Sequence, residues 1–168
     1  MKQINRISVI GGGAWGTALA LTAARAGATA TLWARDPDTV REIQLRRQNA
    51  KYLPGITFDE DIHATADLRE ALKAEAVLLV TPAQTTRATL REIASAGGFD
   101  GPLVLCAKGI EQSTGELLSQ VLKDELPQAE AAALSGPSFA DDVARGLPTA
   151  VTIAAETMET ANRLCEAM

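Results

Sequence analysis

A doubly wound α/β fold, with a mostly parallel sheet and helices on both faces, is predicted by three observations. Apolar runs too short for helices alternate with longer segments of helical periodicity along the 168 residues. Two of those runs, Ala76 to Val80 and Pro102 to Ala107, are apolar nearly throughout, as strands covered on both faces must be. A glycine cluster, Gly11-Gly12-Gly13-Ala14-Trp15-Gly16, sits where the first apolar run gives way to the first periodic segment.

The elements follow in order. Arg6 to Ile10 has strand length and stops at Gly11. Trp15 to Ala26 is an Ala-rich helix with Gly27 as its C-terminal stop. Thr29 to Ala34 is β-branched and aromatic, hence the second strand. Asp36-Pro37 pairs an N-cap with proline at the first helical position and opens a helix reaching toward Gln48. Tyr52-Leu53-Pro54-Gly55 turns the chain. Short strand candidates lie at Ile56 to Phe58 and Ile62 to Thr65, and Asp67 to Lys73 is a short helix. Pro82 ends the buried strand Ala76 to Val80. Gln84 to Ala96 is helical, closed by Gly97-Gly98, and the strand Pro102 to Ala107 ends at Lys108-Gly109. Leu117, Leu118, Val121 and Leu122 mark a helix running up to Pro127. Ala131 to Leu134 is a strand entering Ser135-Gly136-Pro137-Ser138, Ala140 to Arg145 is a helical turn, and Thr149 to Ala154 is a further strand. From Thr157, a helix places Met158, Ala161, Leu164, Cys165 and Met168 on one face. That stripe is still in progress at Met168, so the chain is expected to be truncated.

Composition narrows the function classes. A hydrophobic fraction of 46% and a charged fraction of 22% are those of a globular domain. A net charge of −5 does not suit a nucleic-acid scaffold, which needs a dominant basic surface. No apolar run reaches the ~18 residues of a membrane span, and the N-terminus has no secretory signal, so a cytoplasmic location without membrane insertion is expected. Cys106 and Cys165 cannot make a disulfide framework and read as small core hydrophobes. His63 is the sole histidine, with no metal-ligand spacing around it; it reads as a surface loop residue, and no metal site is expected.

The glycine cluster satisfies GxGxxG at Gly11, Gly13 and Gly16, after a strand and before a helix, which makes the fold Rossmann-type. Gly11 makes the tight turn, Gly13 lets a pyrophosphate approach the backbone, and Gly16 lets helix and strand pack closely. The helix N-terminus, with unpaired N–H groups, faces the phosphates. At the end of the second strand, where an acidic residue would bind a ribose 2′-hydroxyl, Asp36 has the competing task of capping a helix. Arg35 is left to meet a 2′-phosphate, with hydrogen bonds of roughly 1.5 to 3 kcal/mol each and a tenfold to hundredfold preference for NADP over NAD; the alternative is a solvated arginine. Lys108 emerges at the end of a buried strand, over the sheet edge where such folds bind ligands. Gly136 and Ser138 follow another strand and suit a hydroxylated or phosphorylated substrate. Tyr52 either walls the cofactor cleft or packs.

VIGGGAWGTALA (from Val9), LWARDP (from Leu32), NAKYLPG (from Asn49), CAKGIE (from Cys106) and SGPSFA (from Ser135) together resemble the bacterial NAD(P)-dependent glycerol-3-phosphate dehydrogenases. The resemblance implies reversible reduction of dihydroxyacetone phosphate to sn-glycerol 3-phosphate, for phospholipid synthesis, by hydride transfer from NADPH or NADH. It puts cofactor contacts at Ala14, Trp15, Arg35, Tyr52, Lys108 and Ala140, and substrate contacts at Lys108, Gly136 and Ser138. Family members often have Ser or Thr where this chain has Ala14, so only a backbone contact carries over there. The family's general acid/base and the Arg-Asn pair that closes over the substrate lie in a helical C-terminal domain beyond residue 168. Residues 1–168 are therefore expected to form the nucleotide-binding domain, without turnover of their own. Family enzymes are commonly dimers, so a homodimer is expected of the intact protein. The competing readings are another Rossmann dehydrogenase, acting on a hydroxyacyl or sugar-phosphate substrate, and a non-catalytic dinucleotide-sensing module.

Overall fold

The computed structural model describes residues 3–168. Among the described residues, seven strands form one sheet: β1 (Arg6–Ile10), β2 (Thr29–Trp33), β3 (Ile62–Thr65), β4 (Ala76–Leu79), β5 (Pro102–Leu105), β6 (Glu130–Ser135) and β7 (Thr152–Ala155). Their spatial order is β3-β2-β1-β4-β5-β6-β7. Every neighbouring pair is parallel except β6 with β7, which run antiparallel. The chain therefore winds outward from β1 to one edge, returns, and winds outward from β4 to the other.

Strand alternation sorts the core into two layers. Ile7, Val9, Leu78, Val104 and Leu134 share one cluster with α1 (Ala14–Arg25), α2 (Pro37–Arg46), α6 (Ala140–Ala144) and α7 (Met158–Glu166). Ile10, Val77, Leu79, Leu103 and Leu105 face the other way, against α3 (Leu68–Ala71), α4 (Thr86–Ala96) and α5 (Leu118–Glu125). β1 and β4, central in the sheet, are covered on both sides, and burying each Leu or Ile there is worth about 1.5–3 kcal/mol. The buried polar side chain within β1, Ser8, donates from Oγ to the Ala71 carbonyl at 2.5 Å.

The departures from the sequence reading have local causes. α2 stops at Arg46 because Arg47 takes the left-handed conformation (φ 54°), held by its guanidinium donating to the carbonyls of Asp59 and Glu60. Ile56 and Phe58 are buried but form no strand; only Thr57 bridges, to Gln48. His63 is not in a loop: it is the exposed, outward position of β3, beside Glu70 at 3.1 Å. Cys106 is buried, whereas Cys165 is exposed and not a core residue. The buried face of α7 is Thr160, Ala161 and Leu164, continued by Ala167, and Met158 points to solvent.

Candidate functional site

The glycine turn leaves β1 at the point where strand order reverses. Gly11 has φ +130°, and a Cβ there would stand 2.5 Å from the Val80 carbonyl oxygen at the end of β4. A Cβ on Gly16 would lie 1.8 Å from the Gly11 carbonyl oxygen, so α1 and the turn can touch only without one. Gly12, whose need the sequence did not show, is pressed against Ala34, 2.5 Å from a Cβ it lacks. Gly13 differs: a Cβ there would meet nothing within 4 Å. Three glycines are thus required by the chain's own packing, and Gly13 is left open toward a cleft it lines.

The hydrogen bonding of the turn selects the charge it accepts. Thr17 donates from both N and Oγ1 to the Gly13 carbonyl, each at 2.9 Å. Buried Asn49 donates from Nδ2 to the Gly12 carbonyl at 3.0 Å and to Thr17 Oγ1 at 2.8 Å. Those carbonyls are engaged on the protein side, while the first N–H groups of α1 have no intrahelical acceptor and no side-chain cap. With no acidic residue in that first turn, the helix end is suited to an anion. α2 is the contrast. Asp36 accepts from Asp38 N at 3.1 Å and Thr39 Oγ1 at 3.0 Å, so its N-terminus is already served. Those bonds, the Asp38 backbone N–H first, hold the Asp36 carboxyl below its ordinary value.

A cleft of about 550 Å³ opens over the carboxyl ends of β1, β4 and β5. Its walls are residues 11–16, 80–83 and 106–108, with Tyr52 closing one side. Ala14, Trp15, Tyr52 and Lys108 are thereby brought together with the glycines, as the sequence reading expects of cofactor contacts. Tyr52 is half-exposed, its ring 5.2 Å from Lys51 Nζ. Thr81, not singled out by sequence, has a buried Oγ1 without a partner among the described residues. Burial pushes the Cys106 thiol in the cleft wall up to about 12, so it stays protonated at neutral pH and is no nucleophile. A glycine cradle, donor N–H groups and a largely apolar cleft fit a dinucleotide.

Arg35 is engaged rather than free. Its guanidinium lies 5.7 Å over the Trp33 ring and donates to both carboxylate oxygens of Glu92 at 2.9 Å. Gly136, Ser138 and Ala140 lie outside the lining of the glycine cleft. Gly136 packs on the 150–151 segment, 2.7 Å from the Ala150 carbonyl oxygen to a Cβ, and Ser138 Oγ donates to that same oxygen at 3.1 Å. Donating there leaves the Ser138 oxygen its acceptor lone pairs. Ala140 opens α6 and packs in the cluster that includes Ala14 and Trp15.

The segment after Lys108 is held by an ion cluster that no sequence spacing announced. Arg87 on α4 donates through Nε and Nη2 to buried Glu111, through Nη2 to Glu116 at 2.6 Å and through Nη1 to Glu125 at 2.7 Å. Hydrogen bonds from Arg87 first, then Thr114, hold the Glu111 carboxyl below the usual carboxylate range. One cation from α4 thus ties the 111–116 loop to α5.

Comparison with known proteins agrees with this geometry. Residues 6–161 match the family described as NAD-dependent glycerol-3-phosphate dehydrogenase N-terminus. The chain is 54% identical over 168 residues to a glycerol-3-phosphate dehydrogenase [NAD(P)+] of Azorhizobium caulinodans, covering all of this chain and 51% of that protein. It is 52% identical over 165 residues to the enzyme of that name from Paramagnetospirillum magneticum, covering 98% of this chain and 60% of that one. The crystal structure of glycerol-3-phosphate dehydrogenase from Coxiella burnetii superposes with a TM-score of 0.89 at 34% identity, over 98% of this chain and 50% of that one. The chain spans about half the length of these relatives. A UDP-glucose dehydrogenase from Pyrobaculum islandicum, at TM-score 0.67 and 17% identity, shares the fold alone. Glycine turn, switch-point cleft and sequence kinship converge: the chain belongs to the NAD-dependent glycerol-3-phosphate dehydrogenase family and corresponds to its N-terminal part.

Proposed function

We propose that residues 1–168 are the dinucleotide-binding domain of a glycerol-3-phosphate dehydrogenase that acts with NADPH, or NADH, on dihydroxyacetone phosphate and sn-glycerol 3-phosphate in the cytoplasm, in support of phospholipid synthesis. The observation that carries the reading is the uncapped N-terminus of α1 beside Gly13, opening into the cleft that Lys108 and Tyr52 share. The turn's N–H groups hold the pyrophosphate, Tyr52 flanks the cofactor, and Arg35 meets a 2′-phosphate when one is present. When bound, the reduced nicotinamide supplies the hydride. Lys108, an exposed ammonium at the mouth of the cleft, steadies the substrate's polarised oxygen and anionic phosphate. Gly136 and Ser138 shape the substrate's place beyond it. The proton donor, and the surface through which a homodimer would form, are assigned to a helical domain outside these residues.

Calorimetric titration with NADPH and NADH tests this reading. The expected result is binding of both, NADPH about tenfold or more tighter, with the difference removed in Arg35→Ala. A folded chain that binds neither nucleotide overturns it. The 168-residue chain mixed with dihydroxyacetone phosphate is expected to leave NADPH unoxidised; sustained oxidation would locate the proton donor within these residues after all.

A further inference from the structure

Arg35 and Glu92 reach each other across the point where strand order reverses: Arg35 follows β2, and Glu92 lies on α4, the helix after β4. Guanidinium Nη2 stands 2.9 Å from each carboxylate oxygen, and both side chains are exposed, 68% for Arg35 and 41% for Glu92. The platform beneath Arg35 is rigid, because Trp33 is buried and its indole N–H donates to the Ala66 carbonyl at 3.1 Å. The neighbouring carboxylate, Asp36, is turned into the α2 cap and toward Lys51 Nζ at 3.4 Å. Arg35 therefore has a fixed aromatic face on one side and one exchangeable anion, Glu92, on the other.

We propose that Glu92 is a specificity-determining residue, setting how strongly this chain prefers a 2′-phosphorylated dinucleotide over one with a free 2′-hydroxyl. The proposal rests on the reading of Arg35 as the 2′-phosphate partner. In the free protein Glu92 neutralises Arg35. A phosphate arriving at the guanidinium displaces the carboxylate and then sits beside its negative charge, whereas an uncharged ribose hydroxyl meets neither cost. An exposed pair of this kind shifts an equilibrium by about two- to fivefold, and the like charge left beside the phosphate adds to that shift. Glu92 thus moderates the preference that Arg35 creates and keeps the unphosphorylated cofactor competitive.

The test is calorimetric titration of wild type, Glu92→Gln, Arg35→Ala and the double variant with NADPH and NADH, at ~50 mM and ~500 mM salt. Each variant's NADPH/NADH ratio is its own control for folding. Glu92→Gln is expected to tighten NADPH three- to tenfold and NADH less than twofold, with the gain shrinking at high salt and absent when Arg35 is alanine. If Arg35→Ala collapses the ratio and Glu92→Gln leaves it less than about 1.5-fold from wild type, the role of Glu92 is overturned and that of Arg35 stands. Equal gains for both nucleotides also overturn it, since they would show general charge relief. A ratio unmoved by Arg35→Ala overturns the 2′-phosphate reading and this proposal with it, as does a folded wild type that binds neither nucleotide.

Discussion

A methyl group added to Gly16 would collide with the Gly11 carbonyl, and one added to Gly13 would enter open space. Gly16→Ala is therefore expected to lose about 1–3 kcal/mol in urea unfolding, because backbone rather than a flexible side chain must yield. Gly13→Ala should unfold at the wild-type midpoint yet bind NADPH at least about tenfold more weakly, since only the ligand needs that space. Wild-type affinity in Gly13→Ala would show that the pyrophosphate does not approach there. The two thiols separate in the same way. Exposed Cys165 should react promptly with a thiol reagent at neutral pH, and buried Cys106, with its pKa pushed up to about 12, only on unfolding. Two fast equivalents in the folded protein would contradict that assignment. At this scale the sequence was legible where spacing implies geometry, as at Gly11, Gly13 and Gly16, and at Lys108 behind its buried strand. It was silent on Asn49 and Glu92, because a hydrogen bond or ion pair between residues 32 to 57 positions apart leaves no periodic trace.

Among the elements, α1 and α2 divide two tasks that their sequences foreshadow. The second helix has Asp36 and Pro37 at its start and the first has neither, so the first is available to a ligand. Asp36→Ala is expected to cost about 1 kcal/mol of stability and to leave the glycine turn intact, measured by urea unfolding beside NADPH titration. The end of α2 was less legible than its start. The stop of α2 depends on an arginine in a glycine-like conformation, secured by carbonyls twelve and thirteen residues onward. The cluster joining α4, the 111–116 loop and α5 carries a pH signature. The folded Glu111 carboxyl titrates below its unfolded value, so its contribution is complete above the ordinary carboxylate pKa of about 4.3 and lost as pH falls through the lowered one. Between pH 5 and 3, unfolding free energy should fall more steeply in wild type than in Glu111→Gln. Parallel slopes would mean that the Arg87 contact contributes no linkage.

For the molecule as a whole, the cleft assembles from three segments that β1, β4 and β5 deliver to one edge, so ligand binding should be felt in all three at once. At a hundred times its dissociation constant, NADPH is expected to add about 2.7 kcal/mol and raise the melting temperature by roughly 5–10 °C. Hydrogen exchange should slow together around residues 11–17, 80–86 and 106–110. Protection confined to the first segment would show that the cleft does not act as one site. The alternation of apolar runs and helices made the layered class readable, and the glycine turn located the switch point. The antiparallel β7 was not readable, because its direction depends on the chain doubling back along β6 over Gly136 and Ala150 rather than on any pattern in Thr152–Ala155. The central place of β1 has a further consequence for how the protein is made. One side of β1 pairs with β2, which follows within some twenty residues, but the other waits for β4, beginning at Ala76. Throughout that interval of synthesis the nascent chain carries an apolar strand with one open edge, the kind of surface that recruits other chains. Of the interior strands β1 waits longest for its second neighbour, and chaperone dependence should be sought in that window.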